Sequence, residues 1–205
     1  MGFMMKIYLT IVGLVTLSLC LIYFTATEIE NTATCTLCCN CKSDMSPSDK
    51  LWRVTGYVKG FYKQSSRQAM ASDFCNAHRE FSEHLRLAEE VFRSCLMSVS
   101  LSADQIPKIT VSAKSTDENL AKLAVVYYAE QFIIDLNRRN KQVFDKHTAA
   151  ARVELEIARR KGEIPDPRHL CEIEQAKSIL DRENFVVTYS EKASVLSSSR
   201  RIRFQ

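Results

Sequence analysis

The sequence has little of what breaks a chain into short strands. Of its 205 residues only five are glycine and four are proline. Beyond residue 27 the glycines are Gly56, Gly60 and Gly162, and the prolines are Pro47, Pro107, Pro165 and Pro167. A sandwich or barrel needs a turn about every 8 to 12 residues, so this scarcity argues against such folds and makes long helices the expectation. Also missing are G-x-S-x-G, H-E-x-x-H and a phosphate-binding glycine loop, so no catalytic residue and no cofactor is expected. There is no Asn-x-Ser/Thr sequon and no repeat at solenoid periods. Excess charge is small: the net is +4, and Lys192, Arg200, Arg201 and Arg203 against Glu191 supply most of it from the last sixteen residues. The near-neutral remainder excludes nucleic-acid binding through a basic face.

What is present begins with an uncharged run, Ile7 to Phe24, IYLTIVGLVTLSLCLIYF. Its length is close to the roughly 20 residues that cross a bilayer as a helix. A cleavage after Ala26 would put bulky Phe24 where a small residue is needed, so a retained anchor is expected. Lys6 precedes the run, Glu28 and Glu30 follow it, and no base occurs until Lys42. Positive residues stay cytoplasmic. The expectation is a single-pass protein whose membrane partner is held by the N-terminal helix, with the bulk extracytosolic on a cell surface, in a secretory lumen or in a virion envelope.

Eight cysteines take their meaning from that compartment, because thiols in oxidising surroundings pair. Cys20 lies in the apolar run, leaving Cys35, Cys38, Cys39, Cys41, Cys75, Cys95 and Cys171 as disulfide candidates. An odd number leaves one free or bridged to another chain, as in a disulfide-linked homodimer. Cys75 and Cys95 fall about 30 Å apart on one expected helix, so they need different partners: Cys39 or Cys41 for Cys95, Cys171 for Cys75. The competing uses of CTLCCNC, residues 35 to 41, are soft-metal ligation, dithiol redox chemistry and, were the topology inverted, lipid attachment. No second C-x-x-C accompanies it, so no metal is assigned. His78, His84, His147 and His169 read as solvated or packing side chains.

The remainder reads as helices. SPSD, Ser46 to Asp49, supplies an N-cap, a proline at the first helical position and an acid in the first turn. Leu51, Val54, Val58, Phe61 and Tyr62 then form a stripe. From Ser66 to Ser100 the residues Met70, Phe74, Ala77, Phe81, Leu85, Ala88, Phe92, Cys95 and Val99 recur at helical spacing. After a polar loop and a short extended piece at Ile109 to Val111, Thr116 and Asp117 cap a segment reaching Lys161, either continuous or broken near Leu136 to Lys141. Gly162 and EIPDP end it, and a last helix runs from Pro167 to Asn184, with FVVTY, Phe185 to Tyr189, either extending it or forming a strand. The expected fold is mainly α: a transmembrane helix followed by an antiparallel up-and-down bundle of about four helices, disulfide-stapled. Its divisions are an anchor over 1–27, a Cys-rich juxtamembrane segment over 28–46, a helical ectodomain over 47–189 and a flexible basic tail over 190–205. The expected role is protein–protein contact of a structural, adhesion or receptor type, and the alternative is a thiol-redox or soft-metal-handling protein using the cluster.

Overall fold

The computed structural model describes residues 8, 11–20, 27–41, 44–183 and 185–202. Among these the chain is mixed, not a helical bundle: helices pack on a four-stranded antiparallel sheet of order β2-β3-β1-β4. The first helical stretch, α1, is residues 11–20, about 15 Å long at 1.5 Å per residue. No helix among the described residues is long and apolar enough to cross a membrane. This corrects the anchor expected over 7–24, and with it the membrane partner and single-pass placement; residues 7, 9, 10 and 21–24 of that run lie outside the described residues.

The segment expected to be juxtamembrane is strand β1, Thr27–Cys41. Its side chains alternate between faces: Ala33, Cys35, Leu37 and Cys39 sit in the core, while Thr34 and Thr36 on the opposite face are also buried. Helix α2, Pro47–Gln64, starts where SPSD places it, with the Ser46 side chain accepting from the Asp49 N–H. The long helix expected over 66–100 is broken. α3 ends at Ala77 (Arg67–Ala77), a 3-10 stretch covers Arg79–His84, and α4 covers Leu85–Ser94. After Cys95 the chain turns extended as β2, Leu96–Leu101, which pairs with β3, Pro107–Ser115. Cys95 and Val99 satisfy a helical stripe and a strand face alike, which is why periodicity alone misreads them.

β3 lies against β1, with Cys35 opposite Val111 and Leu37 opposite Ile109. The closing strand, β4, is Phe185–Ile202, so the stretch read as a basic tail pairs along β1 instead. Every pairing is antiparallel. Helix α5, Glu118–Lys161, is unbroken over 44 residues, about 65 Å. Asp117 Oδ1 accepts from the N–H groups of Asn119 at 2.8 Å and Leu120 at 3.1 Å. At the other end Gly162, with φ 69°, takes the left-handed cap conformation that glycine adopts without a Cβ clash. Asp117→Ala is expected to lower stability by about 1 kcal/mol, checked by urea denaturation.

The core lies between the sheet and the first half of α5. Tyr128 and Phe132 meet Phe61 of α2 edge-on, with centroids 5.3 and 5.5 Å away. Phe74 of α3 packs on Phe92 of α4 at 5.4 Å and on Tyr127 at 5.5 Å. α5 contributes an unbroken series of core residues from Leu120 to Leu136, and beyond that only Thr148 and Ala151 are buried. Its second half therefore leaves the body, accompanied by α6, Pro167–Glu183, which packs on α5.

Candidate functional site

The cysteines do not converge. None of the eight is disulfide-bonded, which corrects the stapled-bundle expectation, and the sheet explains why. Cys95 immediately precedes β2, and β3 intervenes between β2 and β1. Two inter-strand steps are about 9.6 Å, beyond the 4.4–6.8 Å Cα separation a disulfide spans. Cys39 and Cys41 are thus out of reach of Cys95. Cys75 is buried in α3 while Cys171 is exposed on α6, and α6 packs on α5, so that pair is separated too.

Within CTLCCNC the strand sends neighbours to opposite faces. Cys35 and Cys39 enter the core, while Cys38 and Cys41 are half-buried; Cys38 falls on the face away from the core and Cys41 packs against it. The C-x-x-C spacing that brings two thiolates together in a metal knuckle places Cys35 and Cys38 on different sides of the sheet. Among the described residues no group of three or more His, Cys, Asp or Glu could hold a metal ion.

The buried thiols are also held in the neutral form. Burial pushes Cys35 up to about 11. Burial, with Cys38 adding to it, pushes Cys39 up to about 12. Cys95 rises to about 12 through burial, with Arg67 pulling it down and Cys35 adding to the rise. Burial raises Cys75 as well. Nucleophilic and metal-binding chemistry needs the thiolate, so at neutral pH these residues serve as small apolar side chains, with Cys35 Sγ 3.6 Å from the Val125 carbonyl oxygen.

The surface with functional content is the arm formed by the second half of α5 and by α6. Its base is fixed by charge. Asp135, 8% exposed, is flanked by Arg138 and Arg139. Arg139 Nη2 lies 2.6 Å from Asp135 Oδ2 and donates to Gln64 Oε1 of α2 at 3.1 Å. The guanidinium occupies the space a Cβ at Gly60 would need, so the missing side chain is what lets α5 lock against α2. Beside this lock is a small cleft lined by Phe61, Gln64, Met70, Ile134 and Arg138.

Past the lock, α5 presents two adjoining stripes. Phe144, Thr148, Ala151, Leu155 and Ala158 are buried or half-buried, and Ile173 and Ala176 of α6 are half-buried too. The second stripe continues the face that Phe132 and Leu136 bury in the body, at spacings of three and four through Arg139, Val143, Lys146, Ala150, Val153 and Ile157. Here it lies open: Val143 is 51% exposed, Val153 56% and Ile157 39%. Neither the open stripe of Val143, Val153 and Ile157 nor the exposure of Trp52, 80% on α2, was singled out from sequence. The signal for the first was the apolar spacing after Asn137; for the second it was the absence of Trp52 from the stripe of α2.

No family model matches the chain, and no curated protein matches it. Among solved structures it is similar to a fragment of WzzB, a polysaccharide co-polymerase from Salmonella Typhimurium, with 15% identity, a TM-score of 0.28, and coverage of 86% of this chain and 100% of that one. At that TM-score the likeness carries no argument about fold or function.

Proposed function

We propose that the chain is a structural protein acting through protein–protein contact, and that the partner of its arm is a second copy of itself. The observation that carries this reading is the core-type stripe of α5 running beyond the body with Val143, Val153 and Ile157 exposed. A helix face that carries Val143, Ala150, Val153 and Ile157 at three–four spacing, with Lys146 among them, and that no other element covers among the described residues is a packing face for another helix. Charge selects which helix. From residue 137 to 161 α5 has eight Lys or Arg against three Asp or Glu, so two α5 helices repel. α6 has four acids against three bases, and its exposed Glu172 and Glu174 suit the basic flank of α5 in a neighbouring copy.

The test is the mass in solution of the full chain and of a variant carrying Val153→Glu and Ile157→Glu. Both positions are exposed, so the unfolding free energy is expected to change by no more than about 0.5 kcal/mol per site. Self-association, read by sedimentation equilibrium, is expected to be lost. A wild-type chain that stays monomeric at all concentrations, or a variant that assembles equally well, contradicts the reading.

A further inference from the structure

The face of α2 turned away from the core carries Trp52, Gly56, Lys59 and Lys63 at helical spacing, all exposed. Two of these residues are unexplained by the folded monomer. Trp52, the one tryptophan of the chain, is 80% exposed, and a large exposed aromatic is the side chain most often found anchoring an interface. Gly56 lies mid-helix, where glycine is unfavourable relative to alanine. A Cβ there would meet nothing within 4 Å, and its φ is not positive. Gly60, one turn on, is needed to admit Arg139; Gly56 admits nothing among the described residues. A bare backbone one turn from an open indole suits a surface that approaches closely and covers the ring.

Charge identifies that surface. α2 carries Lys50, Arg53, Lys59 and Lys63 against Asp49, and among the described residues Lys59 and Lys63 form no ion pair. The corner from residue 73 to 90 has the opposite balance: Asp73, Glu80, Glu83, Glu89 and Glu90 against Arg79 and Arg86. Asp73, Glu80 and Glu83 are exposed, and beside them Leu85 is 40% exposed, offering an apolar contact for an indole.

We infer that the Trp52–Gly56–Lys59–Lys63 face of α2 docks the acidic corner around Glu80, Glu83 and Leu85 of a second copy. This rests on the self-association proposed above and adds a contact separate from the arm. The contact can be made reciprocally, each copy's α2 on the other's acidic corner in a two-fold dimer, or head to tail with two neighbours, giving a ring or an open array.

Since the chain has a single tryptophan, the emission of the intact protein reads this one side chain. Emission and sedimentation are followed together over a range of concentrations. The expected result is a shift of Trp52 emission to shorter wavelength as the mass rises. The Lys59→Glu, Lys63→Glu pair is expected to abolish the shift and weaken association roughly tenfold or more, and adding Glu80→Lys and Glu83→Lys to restore both. A rising mass with emission unchanged from that of a water-exposed indole overturns the α2 contact and leaves the arm contact standing. A mass that never rises removes both. A shift that appears only when phosphatidylserine-containing vesicles are added to dilute protein also overturns it, in favour of a lipid surface.

Discussion

Replacing Phe74 with alanine is expected to lower the unfolding free energy by about 3 to 5 kcal/mol. Phe74 is completely buried and sits at the centre of an aromatic group: His78 at 4.5 Å, Phe92 at 5.4 Å, Tyr127 at 5.5 Å and Phe81 at 5.8 Å between ring centroids. It thereby ties α3, the 3-10 stretch, α4 and α5 at the point where the expected single helix instead folds back. Domains of this size are stable by about 5 to 15 kcal/mol, so the loss is a large share of the whole. The measurement is urea unfolding followed by far-ultraviolet circular dichroism. Trp52→Ala, a larger deletion at an exposed site, is expected to move the same curve by no more than about 0.5 kcal/mol. Equal effects from the two would show that the aromatic group is not the core.

Alkali is expected to unfold the protein through its buried thiols. Cys35 is held near 11, and Cys39 and Cys95 near 12, chiefly by burial, whereas a thiol in the unfolded chain ionises near 8.5. The folded values are raised, so the unfolded chain loses its protons first. Stability is therefore fully present below about pH 8.5 and is lost progressively toward pH 11 to 12. Each such thiol contributes a slope of about 1.4 kcal/mol per pH unit within that window. Burial raises Tyr128 as well, which steepens the upper part. Urea midpoints under reducing conditions at pH 7, 8.5 and 10 give the profile. Cys35→Ala, Cys39→Ala and Cys95→Ala should each flatten it below pH 10; an unchanged slope in all three would mean that the thiols ionise in the fold.

How much of this was legible in the sequence depends on how local each signal is. The start of α2 was written in SPSD, and the ends of α5 in Asp117 and Gly162, because capping is a matter of a few adjacent residues. The strands were legible only in fragments: Ile109 to Val111 of β3 reads as extended, and Phe185 to Tyr189 of β4 as a strand or an extension of the last helix. In β1 the alternation of Ala33, Cys35, Leu37 and Cys39 against Thr34 and Thr36 is a regular strand pattern, hidden because cysteine announces crosslinking while behaving as one of the most readily buried side chains. β2 follows α4 with no glycine or proline to mark the change. β4 pairs with β1 from the opposite end of the chain, Phe185 against Cys41 and Arg200 against Ile29, and no local pattern encodes a partner so distant. The disulfide and membrane expectations both followed from one reading of the first 41 residues and failed together.

The continuity of α5 is the feature on which the functional account turns. The stretch Leu136 to Lys141 could be read as a break because Asn137, Arg138 and Asn140 interrupt the apolar pattern. The structure places Asp135, Arg139 and Gln64 in a lock at that point, so the polar residues fasten the helix to α2 and let it run on as an arm. Its stripe of Val143, Val153 and Ile157 is then left exposed among the described residues.

The contact of α5 with a neighbouring α6 is tested most directly by placing a photoreactive phenylalanine analogue at position 153 and mapping the crosslinks formed by the assembled protein. Mixing isotopically light and heavy copies separates contacts within a chain from those between chains. The account predicts light–heavy crosslinks from position 153 to residues 167–183. Crosslinks confined to single copies, or directed only to the body of the neighbour, would contradict it.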